Sequence, residues 1–209
     1  MPIPSLDTTA SDPTVARLFT LVAGERLARD TLDWVALEAS YWPEARVRVT
    51  WFDGPVEDFI ARSQQSVRPG SIGGFHEIVP VRAEVDGDRA LVESRGRVLL
   101  RPRVDGVECD LTSWCRFVAG LEKREGDWRI SFFDNIYVKD RIDAVFPGDH
   151  VIADRAVWED SRPSYRWLAY TNRARGIEVP ADLPGDYRPD LVAAFWADAR
   201  SWVRRGATA

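Results

Sequence analysis

The sequence has little with which to hold a metal or close a disulfide: two cysteines and two histidines in 209 residues. Cys109 and Cys115 are an even number of positions apart, so both fall on one face of one strand and cannot easily bond to each other there. These four residues show none of the usual ligand spacings, and no metal is expected. No Gly-rich phosphate loop precedes a helix and no nucleophile motif is present, so no cofactor is expected either. Positive charge is outnumbered as well, 28 Lys and Arg against 33 Asp and Glu. The net charge is -5 and Lys123 and Lys139 are the only lysines, which argues against nucleic acid or an anionic membrane as a partner. A run long enough to span a bilayer and a signal-peptide pattern are both missing, so a soluble, cytoplasmic protein with free thiols is expected.

What is present is a chain that is 45% hydrophobic and 29% charged, enough for one sizeable core. The stretch from Phe75 to Lys139 reads as a four-stranded antiparallel meander. Its turn signals are Asp86-Gly87-Asp88-Arg89, Asp105-Gly106 and Glu125-Gly126-Asp127, because glycine accepts the positive φ that tight hairpins need. Residues 1–10 read as a loose arm. Asp12 then caps a helix with Pro13 at its first position, and Val15, Leu18, Phe19, Val22 and Leu27 recur at helical spacing to about Arg29. A second, shorter helix starts in Asp30-Thr31-Leu32-Asp33-Trp34 and runs to about Ser40.

After a break at Tyr41-Trp42-Pro43-Glu44, residues 46–51 alternate as a half-buried strand does. Asp53-Gly54-Pro55 turns the chain into a third helix that faces the core with Val56, Phe59 and Ile60. Residues 68–74 release it into the meander. Beyond Phe146-Pro147-Gly148 the tail is helical in patches punctuated by proline. Too short and Pro-rich for a core of its own, it reads as a lid or contact extension over 149–209 on a domain of 1–148.

Helix, helix, short strand, helix and meander, together with Asp30-Thr31-Leu32-Asp33-Trp34, Trp51-Phe52-Asp53-Gly54, His76 opening the long strand, and Gly126-Asp127-Trp128, resembles the SnoaL-like branch of the nuclear-transport-factor-2-like superfamily. The resemblance covers about Val15 to Pro147. It implies an α+β fold in which a curved antiparallel sheet, the meander plus a short strand, forms a cone-shaped barrel wrapped by three N-terminal helices. It also implies a pocket for a hydrophobic small molecule. The superfamily includes polyketide cyclases, isomerases, scytalone dehydratase and hexachlorocyclohexane dehydrochlorinase, and also proteins that only bind or assemble, so the fold leaves both classes open.

In the two last-named enzymes a His at the start of the long strand acts with an Asp from the helix before the first strand. Here those positions are His76 and Asp30, a base and the carboxylate that orients it. Read from the residues alone, Asp30 is also a good helix N-cap. Strict alternation puts His76 opposite the apolar set Val79, Val81, Ala83 and Val85, hence outward, unless a bulge around Ile78 to Pro80 turns it in.

Asp134 shares one face of the last strand with Trp128, Ile130, Phe132, Ile136 and Val138, where a carboxyl should be paired or have a raised pKa, and it is a third catalytic candidate. Tyr41, Trp51, Phe132, Cys115 and Phe117 are candidates to shape the pocket, with Cys109, Leu111, Ser113, Cys115 and Phe117 as an inner row. Arg101 stands where scytalone dehydratase has a second His, and a guanidinium cannot serve as base at neutral pH. With Arg95, Arg97 and Arg103 it reads as a solvated stripe. Trp114, Arg116, Phe133 and Tyr137 have the composition of a homodimer contact on the outer sheet face.

Overall fold

A computed structural model describes residues 12–67 and 74–205; the arm at 1–10 and most of the release segment lie outside the described residues. Three helices come first around a short hairpin. Helix α1 (Pro13–Asp30) and α2 (Trp34–Ala39) precede β1 (Tyr41–Val49) and β2 (Phe52–Pro55), and α3 (Val56–Ser66) follows. The meander is β3 (Phe75–Asp86), β4 (Arg89–Leu100), the two-residue β5 (Arg103–Val104), β6 (Val107–Arg124) and β7 (Asp127–Ala144). The tail holds α4 (Arg155–Asp160), α5 (Arg166–Arg173) and α6 (Pro189–Arg204). The main sheet runs β2-β1-β7-β6-β4-β3, with β5 paired to β6. It is curved and unclosed, with β3 and β2 at its edges.

Local chemistry explains the turns. Asp105 and Gly106 have φ of 48° and 83°, and Glu125 and Gly126 have 52° and 91°, so each hairpin loop uses two left-handed residues that match the twist of the flanking strands. Asp12 caps α1 by accepting the Thr14 N–H at 2.8 Å.

Three boundaries differ from the sequence reading. The first strand begins at Tyr41 and includes Pro43, because its register shifts between Tyr41 and Arg46 and frees that segment from regular pairing. Phe52–Pro55 is a strand paired to β1 rather than a turn. The cap of α2 is Asp33, which accepts the Ala36 N–H at 3.0 Å, while Leu32 at φ 61° carries the link between the two helices. Asp30 is therefore the last residue of α1, not an N-cap.

The sheet has two covered faces. Inside the curve, Val15, Leu18 and Val22 of α1, Phe59 of α3 and the β6 row Leu111, Cys115 and Phe117 form one core. Each fully buried aliphatic side chain there contributes roughly 1.5–3 kcal/mol. Leu27 is 64% exposed, since at 100° per residue it lies well off the stripe of Val15, Leu18 and Val22. On the outer face Leu91, Val118 and Ile136 pack against Ala199 and Val203 of α6. The tail also enters the inner core through Tyr165, Leu168 and Leu183. Its residues Pro184 and Asp186 bond the backbone of Tyr137 at 2.9 Å each, so the tail continues along β7 where β1 leaves it.

Gly96 on β4 faces Ile78 of β3. A Cβ there would sit 2.1 Å from the Glu77 carbonyl oxygen and 2.7 Å from Phe117, and the first of these is backbone that cannot swing aside. Gly96→Ala is expected to cost about 1–3 kcal/mol, the range for overpacking a fitted interior, measured as a lower urea midpoint at unchanged slope.

Candidate active site

The apolar stripe of α1 does not stop at Val22. Continued with helical spacing it reaches Glu25, Arg26, Arg29 and Asp30, so charged side chains occupy the core-facing positions of the last two turns. Glu25 is 0% and Arg26 4% exposed. The Arg26 guanidinium donates two hydrogen bonds to the Glu25 carboxylate, and the Tyr41 hydroxyl donates to Glu25 Oε1 at 2.7 Å. The guanidinium also lies 4.3 Å from the centre of the Phe133 ring. Burial alone would lower the Arg26 pKa, but the adjacent Glu25 charge outweighs it and holds the group protonated. Removing one member of such a buried pair costs about 3–5 kcal/mol, because the other charge is stranded.

One turn further on, Asp30 reaches β3. Its Oδ2 accepts the His76 backbone N–H at 2.6 Å and its Oδ1 lies 2.7 Å from His76 Nδ1. A carboxylate at a helix C-terminus is poorly placed for the helix dipole, and these two donors offset that. His76 points inward because β3 is irregular. Its register slips between Pro80 and Arg82, which puts His76 and Ile78 on the same face as Ala83 and leaves Val79 62% and Val81 43% exposed. The apolar set expected from strict alternation is thus split, because Ala83 and Val85, past the slip, share the face of His76. Proline is tolerated here because β3 is an edge strand.

The His76 and Asp30 side chains are 15% and 13% exposed, and the imidazole meets the edge of Phe117 at 6.1 Å. Burial pushes the His76 pKa below 6.5; the bond to Asp30 pulls it back up, and the Arg26 charge lowers it again. The net result is an imidazole that is neutral at pH 7. With Nδ1–H given to Asp30, Nε2 keeps its lone pair, and the carboxylate stands ready to stabilise an imidazolium. That is the disposition of a general base.

The other candidates divide between the two faces. Tyr41, Cys115 and Phe117 are inside, each buried; the Tyr41 hydroxyl is engaged by Glu25, and burial pushes the Cys115 thiol up to about 12. Trp51, in the turn after β1, stacks on Phe59 at 5.3 Å. Asp134 and Phe132 are on the opposite face from the dyad. The β7 register slips between its pairs Gly120–Phe132 and Leu121–Ile130, so Ser131 is an extra residue and the strand's parity inverts. Trp128 and Ile130 face the inner core, whereas Phe132 and Ile136 face α6.

The same bulge turns Phe133 and Tyr137 inward, 1% exposed each, which removes them from the outer face on which a dimer contact was expected. Trp114 and Arg116 are outside. Lys139 covers Trp114 at 4.9 Å, and Arg116 pairs with Asp186 at 2.9 Å and Glu93 at 3.5 Å. Arg95, Arg97 and Arg103 are exposed, and Arg101 bonds Asp110 at 2.8 Å and 3.0 Å. Both cysteines are buried and free.

Two carboxyls carry an unfavourable burial. Desolvation raises Asp134 to about 7 against its Asn135 N–H bond and the Arg48 charge, and raises Asp140, which accepts the Leu168 N–H at 2.9 Å, to about 6. Between the ordinary carboxyl range and pH 7 the folded chain holds more protons at these sites than the unfolded chain. Their contribution to stability is therefore present at low pH and is lost as pH rises through the folded pKa values. Relative to the wild type, Asp134→Asn is expected to gain thermal stability as pH goes from 5 to 8, read as a growing difference in Tm.

Residues 14–134 match the model of the SnoaL-like domain family. Pea pathogenicity protein 2 of Fusarium vanettenii is 32% identical over 181 residues, covering 82% of this chain and 75% of that protein. A PEP2-like protein of the same fungus is 30% identical over 197 residues, 90% of this chain and 84% of the relative. Among solved structures, a type 2 hexachlorocyclohexane dehydrochlorinase superposes with a TM-score of 0.54 at 18% identity, over 65% of this chain and 95% of that one. A putative scytalone dehydratase from Novosphingobium aromaticivorans does so with 0.50 at 12% identity, over 66% and 95%. Likeness at these identities is likeness of fold.

Proposed function

The chain belongs to the SnoaL-like domain family, and on that premise we propose that it is a cofactor-independent enzyme that moves a proton on a hydrophobic small molecule, by elimination, isomerisation or cyclisation. The observation that carries this reading is the His76 imidazole, largely shielded from solvent, neutral and held through Nδ1 by Asp30 at 2.7 Å. His76 Nε2 takes a proton from a carbon made acidic by a neighbouring electron-withdrawing group. The electron pair left behind expels a group on the adjacent carbon, shifts a double bond or closes a ring, and His76 then returns the proton to product or solvent. Asp30 fixes the ring and stabilises the imidazolium while it exists.

The surroundings suit that chemistry. Burial, with the Arg26 charge adding to it, lowers the His76 pKa and favours the unprotonated base near neutral pH. Phe117 and Cys115 supply apolar wall on the β6 side. Fold relatives that are a dehydrochlorinase and a putative dehydratase support the elimination branch by analogy.

Screening hydrophobic compounds that carry an acidic C–H next to a leaving group or an enone, with product detection by mass spectrometry, supplies a substrate. Against it, His76→Ala is expected to lower kcat by about 10²–10⁴, the usual worth of a positioned base, with folding checked by circular dichroism. The wild-type kcat/KM should rise with pH through a pKa below 6.5 and then level off. Unchanged turnover in His76→Ala removes the proposed base, and specific binding without turnover across the panel favours a non-catalytic binding protein of the same fold.

A further inference from the structure

One cleft among the described residues lies away from His76. It lies on the outer sheet face, between α6, which packs on β4 and β3, and the neighbouring strands β7 and β1, and has a volume of about 460 Å³, within the range of small-molecule sites. One wall is aromatic: Phe132 of β7 meets Trp202 of α6 edge-on at 5.1 Å, and Phe195 stands about two turns earlier on the helix. The other lining is acidic, with Asp134 from the sheet, Asp198 from α6 and Asp182 from the segment before it. Two guanidiniums, Arg48 and Arg205, also border it. Arg48 is already balanced by Asp182 at 2.9 Å and Asp53 at 3.5 Å, and Arg205 bonds Ser201 at 3.0 Å.

Asp134 is the odd member. Its Oδ1 accepts the Asn135 N–H at 2.9 Å, yet among the described residues no cation comes within ion-pair distance of it. Nothing in the acid–base chemistry of the dyad uses it, since the sheet separates the two. A half-buried carboxyl beside electron-rich rings, with an open volume in front of it, is what an organic ammonium requires: a counter-ion, faces for cation–π contact, and an apolar wall for its body.

We propose that this cleft is a ligand site, separate from the His76–Asp30 dyad, that takes a small amine-bearing molecule with an aromatic or apolar body, its ammonium on Asp134 and its body against Phe132, Phe195 and Trp202. The groups facing Asp134 are Arg48, Asp53 and Asp182 from β1, β2 and the tail, and Asp198 and Arg205 across the cleft. Their charges set how readily Asp134 ionises. Because burial lifts its pKa to about 7, an ammonium ligand is favoured above that pH and released below it.

The test is isothermal titration of the whole chain with 2-phenylethylamine and, as the uncharged counterpart, 2-phenylethanol, at pH 8 and pH 6. The amine is expected to bind at least about tenfold more tightly than the alcohol at pH 8, and to weaken about tenfold at pH 6 as the carboxyl protonates. Asp134→Asn should abolish the preference for the amine, and Ala194→Trp, which fills the cleft from the exposed side of α6, should block both ligands. His76→Ala should leave binding unchanged. Equal affinity for amine and alcohol, no binding of either, or loss of binding in His76→Ala would each overturn the proposal. Neither of the last two results bears on whether His76 is a base, so the cleft and the dyad stand or fall separately.

Discussion

Asp30 joins the end of the first helix to the start of the long edge strand, and the arrangement of the interior follows from that contact. One carboxylate oxygen holds the His76 backbone N–H and the other holds its ring. The first bond fixes where β3 begins relative to α1; the second fixes which ring nitrogen carries the proton. Both are needed, since a carboxylate at the negative end of a helix dipole would be destabilising without donors aimed at it. Below them the buried Glu25–Arg26–Tyr41 group places a positive charge near the imidazole, screened by its own carboxylate. A fold element, a tautomer and a proton affinity are thus set together by five side chains on three elements.

Much of this was legible in the sequence. Turn chemistry marked the meander, because Asp-Gly and Glu-Gly pairs supply the left-handed residues that hairpins need. Pro80 signalled that β3 could not pair regularly, and the slip beside it is what brings His76 inside. The bulges in β7 gave no such signal. Ser131 and Val138 are ordinary strand residues, so period-2 alternation carried Asp134 and Phe132 to the wrong face and left Phe133 and Tyr137 outside when they are core. Glu25 and Arg26 were missed for a different reason. Charged residues are assigned to solvent by default, and only the phase of Val15, Leu18 and Val22 extended past Val22 points them inward.

The tail changes what the sheet can do. In a cone open on its outer face, that surface is free for another chain. Here α6 lies across it, burying Leu91, Val118 and Ile136, while the segment through Pro184 and Asp186 takes the place beside β7 that β1 vacates. The tail therefore belongs to both layers of packing. It also creates a cleft with its own carboxyl, so the two sides of one sheet carry two environments: a neutral imidazole on its carboxylate within, and without, among aromatics, a carboxyl that has no ion-pair partner among the described residues.

Nitrogen-15 NMR of His76 across pH tests the central claim most directly, because it reads the tautomer and the proton affinity in the folded chain without a substrate. The expected result is a neutral ring protonated on Nδ1 at pH 7, titrating below 6.5, and shifting lower still in Asp30→Asn, where the carboxylate that favours the imidazolium is gone. A ring already charged at pH 7, or protonated on Nε2, would contradict it.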